Sequence, residues 1–434
     1  MKKYLSCKDL ETSLYIAPNE IRSCCQRFFY KNKLRGDAKL LDIKDNHTPT
    51  VNEIKNARIN LFEEIQNNNS KSCNGCPFLY ETEKKPNFDS RINHLSIEHH
   101  SVCNLRCAYC SEVYYGGVRS KYDVVEFIKY LSENKSFKEC KQVVWGGGEP
   151  TLDKSFELIV KEIDRYASPN LYHRVFTNSV RYHHAVEQFL KEGSIKIVTS
   201  IDSGSSETFK KVRGRDKFFN VFENLKRYAE IDPNRITIKY IFTEGNEEVD
   251  ELINFVNYCV KYSLTKCSYQ ISMNYKYAEL NFEKLKKISL LMGMLKNNGI
   301  KKFFCDDHIA LRFKKIDDKE KKDLIKFLKD KNVENIVLTN GNIKKINFYG
   351  IGDIAINFLN KSDSIKFFDQ LELYDSDEKK IGNKVNNFII KKPEELKNND
   401  NKIFISTAQS YDDIYQFLKK INIDTKRVIS GILI

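Results

Sequence analysis

The chain has 434 residues, 41% hydrophobic and 30% charged, with a formal net charge of +13. That balance is globular rather than disordered, with room for about three domains. No run approaches the roughly 18 apolar residues of a membrane span, so no membrane partner is expected.

The lysines are spread through helical segments without a dense basic block. They read as a solvated surface, and a nucleic-acid partner is not expected. The N-terminus, Met1-Lys2-Lys3-Tyr4-Leu5, lacks a secretory apolar core. Twelve cysteines in tight clusters point to metal binding in a reducing cytoplasm rather than to a secreted disulfide framework.

Residues 1–90 open with a predicted hairpin: Leu14–Ala17, a turn at Pro18-Asn19, then Ile21–Cys25. Val51, Ile54, Ile59, Leu61 and Ile65 mark a helix. It leads to Cys73-Asn74-Gly75-Cys76, a CxxC knuckle whose Gly75 suits the tight turn. With Cys7 and one member of the Cys24-Cys25 doublet, these make four thiols, enough to close a site. Cys24 is the preferred member. By spacing, zinc and a fully ligated iron–sulfur cluster fit equally, and chance pairs of buried thiols are the plain alternative.

An apolar strand, Arg91–Glu98, runs into Cys103-Asn104-Leu105-Arg106-Cys107-Ala108-Tyr109-Cys110. Three thiols in one short loop suit a four-iron cubane with one iron left open to a small molecule. A structural zinc completed from elsewhere, or unlinked buried thiols, are the bland readings. Further on, a strand ends in Gln142-Val143-Val144-Trp145-Gly146-Gly147-Gly148-Glu149-Pro150. The glycines allow close backbone approach to a ligand, and Glu149 can accept from an amine.

Together the CxxxCxxC loop and the GGEP strand end resemble the radical S-adenosylmethionine (radical SAM) superfamily, over about 200 residues from Arg91 to Gly299. The resemblance implies a 4Fe–4S cluster on Cys103, Cys107 and Cys110, with S-adenosylmethionine on its open iron. It also implies contacts to the cofactor from Tyr109, Gly146, Gly147, Gly148 and Glu149. The cysteine-rich residues 1–90 resemble the SPASM/twitch auxiliary modules found beside such cores. That favours a second 4Fe–4S cluster over zinc, on Cys7, Cys24, Cys73 and Cys76.

Helical stripes then alternate with short apolar strands up to Tyr269–Met273, which predicts a parallel sheet with helices outside. Six strands fit the family's partial (β/α)6 barrel, where chemistry gathers at the C-terminal strand ends. Asn178, Ser200 and Asp202 lie at such ends, and Arg213 follows. The resemblance makes ribose partners of the first three and a carboxylate partner of Arg213. Helix capping and a surface arginine are the plain readings. Asn246 is either another polar position of this kind or a turn residue. Lys239 is expected to point outward into solvent, because a buried charge is costly without a partner. Gln270 and Asn274 are polar candidates on the last strand. Cys140, Cys259 and Cys267 read as packing thiols.

Cys305-Asp306-Asp307-His308 reads as a loop, and a charged helix over Asp317–Lys331 serves as the core of a linker spanning 300–343. From residue 344 to 434 the pattern becomes Rossmann-like. Lys345–Tyr349 runs into Gly350-Ile351-Gly352-Asp353-Ile354-Ala355, a GxGxxA turn. Asp375, at the end of the next strand, stands where a ribose-binding acid belongs. Gly350, Gly352 and Asp375 are therefore possible nucleotide contacts, with a docking scaffold as the alternative.

The fold expected is α/β: a partial (β/α)6 TIM-like barrel (91–299), a small N-terminal cysteine-rich α+β module and a C-terminal Rossmann-like α/β domain. The expected function is a radical SAM redox enzyme that removes hydrogen from a small molecule, a saccharide or a nucleotide-linked sugar. It would be fed by an electron donor such as flavodoxin or ferredoxin. Peptide or protein maturation is the second reading, and a non-catalytic metal-bound nucleotide sensor the third.

Overall fold

The computed structural model describes residues 3–110, 117–169, 171–306, 309, 312, 316–339, 341–361, 363–407 and 410–433. They form two compact units: Met1–Thr199 with Arg213–Arg215, and Ser200–Val212 with Asp216–Ile434.

The first unit is built on a twisted sheet whose parallel strands are β4 (His94–Ile97), β5 (Gln142–Trp145), β6 (Tyr172–Phe176) and β7 (Ile195–Ser200). Their neighbours in register are His94↔Gln142, Val143↔His173 and His173↔Ile195. Helices α2 (Val124–Glu133), α3 (Phe156–Tyr166) and α4 (His184–Glu192) connect them. Val143, Trp145, Val175, Ile195 and Ile197 are buried, as expected of parallel strands covered by helices. Trp145 ends β5, and its indole N–H donates to His173 Nδ1 at 2.9 Å. That bond meets the requirement that a buried donor be paired.

The cysteine-rich segment joins the same sheet. Strand β1 (Ser13–Ile16) lies parallel to β4, with Ile16 opposite Ile97. Strands β2 (Glu20–Arg22) and β3 (Lys39–Asp42) extend it antiparallel. Helix α1 (Val51–Gln66) starts at a capping box, in which Thr50 Oγ1 accepts from Glu53 N and the Glu53 carboxylate accepts from Thr50 N. Its buried face carries Ile54, Ala57, Leu61, Phe62 and Ile65.

In the second unit α5 (Ser206–Arg213) and α6 (Phe218–Ile231) precede β8 (Ile236–Phe242). Helix α7 (Val249–Lys261) leads to β9 (Ser268–Met273), and α8 (Phe282–Asn297) to β10 (Phe303–Cys305). These strands are parallel, with Lys239 opposite Gln270 and Gln270 opposite Phe304. Strand β10 stands where the sequence pattern gives a loop. Three residues after two lysines carry too little periodicity to be read, and pairing with the buried β9 defines them. Helix α9 (Asp318–Asp330) follows, again from a capping box.

The remaining elements form a second sheet. Its strands are β11 (Lys345–Tyr349), β12 (Gln370–Tyr374), β13 (Lys384–Val385), β14 (Phe388–Lys391), β15 (Lys402–Ile405) and β16 (Val428–Ile429). Their order is β13-β14-β12-β11-β15-β16. Setting aside the antiparallel edge strand β13, the chain order across the sheet is 3-2-1-4-5, the Rossmann order. Helix α10 (Asp353–Lys361) follows β11, and α11 (Tyr411–Lys420) follows β15. Tyr411 stacks on Phe304 at 4.7 Å. Asp412 accepts from Ser268 Oγ at 2.5 Å and from Thr237 Oγ1 at 3.3 Å. No described helix is long and apolar enough to cross a membrane.

Candidate active site

The loop from Cys103 to Cys110 is held from below by the glycine run that ends β5. Gly146 N donates to Ile97 O at 3.1 Å, Gly148 N to His100 O at 2.9 Å, and Glu149 N to Val102 O at 2.8 Å. A Cβ on Gly148 would lie 2.2 Å from Val102 O, and one on Gly147 (φ +81°) 2.8 Å from His100 O. The glycines thus serve a close approach to the chain's own backbone, the segment that delivers Cys103, as well as any approach to a ligand.

Glu149 turns its carboxylate inward. Oε1 accepts from Thr151 Oγ1 at 2.7 Å, Thr177 Oγ1 at 2.7 Å and Thr151 N at 3.3 Å; Oε2 accepts from Asn178 N at 2.6 Å. Burial holds this carboxyl above the usual glutamate range, against the pull of those donors. In this structure Glu149 therefore pins the end of β6. Asn178, at that end, donates to Asn104 Oδ1 at 2.6 Å and points the same amide at Cys103 Sγ, 3.7 Å away.

The far side of the loop is held by Arg213, whose guanidinium donates to the Tyr109 hydroxyl and lies 5.7 Å from its ring centroid. Arg106 N donates to Arg213 O at 2.9 Å. Gly214 (φ +78°) follows, where a Cβ would meet Arg106 O at 2.5 Å. Tyr109 and Arg213, expected at the cofactor and at a carboxylate, are thus partners of each other.

Cys103 is exposed, Cys107 and Cys110 half-buried. Burial pushes the Cys103 thiol up; the Leu105 amide, 3.4 Å from the sulfur, and Arg213 pull it down, while Glu149 and Cys107 add to the rise. Three thiols in one loop, with N–H groups aimed at sulfur, fit a cluster that needs ionised cysteine ligands and hydrogen bonds to them. Residues 111–116, directly after the loop, lie outside the described residues.

Ser200 and Asp202 belong to the second unit. Asp202 is fully buried in the left-handed region (φ +59°), and its Oδ1 accepts from Ile241 N at 2.7 Å. Asn246 is also buried; it donates to Asp202 O and Ile241 O, both at 2.9 Å. This is a bracing network at the end of β8. Lys239 corrects the expectation of a solvated side chain: only 16% of it is exposed, and Nζ lies 3.9 Å from Asp306 Oδ2. The carboxylate makes its burial tolerable. Asp306 also accepts from Ser272 Oγ. Asp307 and His308, beside it, lie outside the described residues.

Four more thiols meet at one small cavity: Cys7, Cys24, Cys73 and Cys76. Cys25 does not line it and is exposed, so the doublet contributes Cys24. Gly75 (φ +76°) makes the knuckle turn, and a Cβ there would lie 2.1 Å from the Tyr30 ring. Ser70 Oγ accepts from Cys73 N at 3.2 Å, and Cys7 Sγ from Leu10 N at 3.3 Å. An apolar floor of Leu10, Leu61, Phe62 and Phe88 lies beneath. Burial pushes the thiol of Cys24 up to about 12 and that of Cys76 up to about 11, and raises Cys7 and Cys73 too. A cation at the centre would supply the charge that lets them ionise.

In the Rossmann-like domain a cavity of about 390 Å³ opens where the strand order reverses, lined by Gly350, Gly352, Asp375, Lys380, Thr407 and Asp413 among others. Gly350 (φ +82°) leaves no room for a Cβ, which would lie 2.6 Å from Thr407 Cγ2. Asp375 Oδ2 accepts from Ile351 N at 2.8 Å and pairs with Lys380 at 3.0 Å. The acid thus already occupies one amide of the glycine turn.

Residues 97–256 match the sequence model of the Radical SAM superfamily. A GTP 3',8-cyclase of Clostridium botulinum (strain Okra / Type B1) is 25% identical over 178 residues, 40% of this chain and 55% of that protein. One of Pasteurella multocida (strain Pm70) is 30% identical over 166 residues, 38% of this chain and 49% of that protein. The chain therefore spans about half the length of the curated relatives it matches. Among solved structures, Streptococcus suis SuiB bound to precursor peptide SuiA aligns with TM-score 0.42 and 12% identity, over 62% of this chain and 59% of that one. Native anSMEcpe with bound AdoMet aligns with TM-score 0.36 and 23% identity, over 45% of this chain and 58% of that one. The CxxxCxxC loop is braced against the glycine strand end and the family match runs through both, so residues 97–256 form a radical SAM domain.

Proposed function

We propose that this radical SAM enzyme carries out a redox modification of a saccharide or nucleotide-linked sugar. In this reading Cys103, Cys107 and Cys110 hold the catalytic 4Fe–4S cluster, and Cys7, Cys24, Cys73 and Cys76 an auxiliary one. The chemistry a reduced cluster supplies when bound is one-electron cleavage of S-adenosylmethionine, giving a radical that takes hydrogen from substrate. The chain's own part is positioning. Asn178 and the Leu105 amide set the charge environment of Cys103, and the Tyr109–Arg213 pair fixes the far end of the loop.

The observation that carries the reading is the convergence on one loop of the glycine run, Asn178 and Arg213. A plain metal-binding knuckle has no use for two separate strand ends and a helix end. A nucleotide-bearing substrate is supported by the relatives named as GTP cyclases. The polar-rimmed cavity at the Rossmann switch point also supports it. Half-buried Lys239, midway along β8, and Asp306, just after β10, offer a charged pair for substrate.

The test is anaerobic. Reconstituted protein is reduced with dithionite, given S-adenosylmethionine, and 5'-deoxyadenosine is measured with and without a panel of nucleotide sugars and of peptides. Stimulation by a nucleotide sugar supports the substrate assignment. Stimulation by peptides alone would replace it with peptide maturation.

A further inference from the structure

Beside the cluster loop lies a group of ligand-type side chains that none of the roles above uses. His99 and His100 follow β4, and Asp153 follows the Glu149-Pro150 corner after β5. The parallel register, with Ile97 opposite Trp145, brings these two exits together. The ligand atoms of His99, His100 and Asp153 all lie within 4.8 Å of one another. His99 Nε2 and Asp153 Oδ2 are 2.9 Å apart, and the two imidazoles stand edge to face with centroids 4.8 Å apart.

A hydrogen-bonded His99–Asp153 pair explains two of the three residues. It does not explain His100, which is only 6% exposed and whose Nδ1 is buried without a hydrogen-bond partner. Buried ring nitrogens are normally paired, and an orphan beside a second imidazole and a carboxylate is what a cation site looks like without its ion. The second oxygen of Asp153 is oriented by Ser155 N at 3.0 Å, and the backbone of His99 by Ser120 Oγ at 2.8 Å. The frame is therefore fixed from outside the cluster.

We propose that His99, His100 and Asp153 bind a divalent first-row cation, with zinc the best match to two imidazoles and a carboxylate. No thiol takes part, so the site is chemically separate from both cysteine sites. Three protein ligands leave a position for water or another small ligand. The ion ties the segment that delivers Cys103 to the segment that follows Glu149.

Zinc K-edge X-ray absorption reads this site without interference from iron. Protein with its iron–sulfur centres assembled is stripped of loose metal with a chelator and loaded with one equivalent of Zn²⁺. The expected spectrum has a nitrogen/oxygen shell at about 2.0–2.1 Å with imidazole scattering and no sulfur shell at about 2.3 Å. His100→Gln and Asp153→Asn should each weaken zinc binding by about a hundredfold, with iron content unchanged. A sulfur shell, no retained zinc, or zinc affinity untouched by both substitutions would overturn the proposal. If a variant also loses iron, the wild-type spectrum decides alone: nitrogen and oxygen ligands support the site, sulfur ligands refute it.

Discussion

The two thiol sites are built on opposite plans. Cys103, Cys107 and Cys110 sit in one partly exposed loop held by backbone hydrogen bonds, close-approach glycines and the Tyr109–Arg213 pair. Cys7, Cys24, Cys73 and Cys76 come from three separate stretches and enclose a cavity over an apolar floor. An open loop with three donors leaves room for a reactant; a closed cavity with four does not. Under the proposed function, rigidity without enclosure belongs to the reactive site, and enclosure to a site suited to electron transfer or structure.

The comparison can be broken residue by residue. Cys107→Ala should have the largest effect, reducing S-adenosylmethionine cleavage to background and iron from about eight to about four per chain; iron analysis and product quantification check both. Gly148→Ala should follow. Its Cβ would meet Val102 O at 2.2 Å, and the strain, about 2–4 kcal/mol, should unseat the loop and its cluster, seen by EPR. Gly352→Ala is the contrast: nothing lies within 4 Å of its Cβ position, so thermal unfolding should move by no more than about 0.5 kcal/mol.

In the closed site Cys24→Ala should remove about half the iron and spare S-adenosylmethionine cleavage, whereas Cys25→Ala should leave iron at the wild-type level. Equal losses in the two would break the assignment of the doublet. Asn178→Ala is the smallest of the catalytic-side effects. It removes the bond to Asn104 and the amide facing Cys103, about 1–1.5 kcal/mol, or roughly tenfold in S-adenosylmethionine affinity measured by titration.

The cysteine spacings, the glycine run and the alternation of strands and helices were legible because each follows from local geometry. Cys24, the preferred member of the doublet, lines the cavity with Cys7, Cys73 and Cys76; whether it is a ligand is what the Cys24→Ala and Cys25→Ala comparison tests. What was not legible depends on long-range partners. Nothing near Lys239 in sequence announces Asp306. The carboxylate of Glu149 reads as free until Thr177 and Asn178 arrive from the next strand. Asp375 stands at the ribose position, yet Ile351 N and Lys380 occupy its Oδ2. Strand β10 and the entry of β1 into the barrel sheet follow from pairing, which periodicity does not record.

The most direct measurement is 5'-deoxyadenosine formation by wild-type, Cys107→Ala and Cys24→Ala proteins, side by side, with cluster content checked by EPR. If the open loop is the radical initiator and the closed cavity is not, the wild-type and Cys24→Ala proteins form the product and Cys107→Ala does not. Product from Cys107→Ala, or its loss in a Cys24→Ala protein that retains a reducible cluster, would contradict that division.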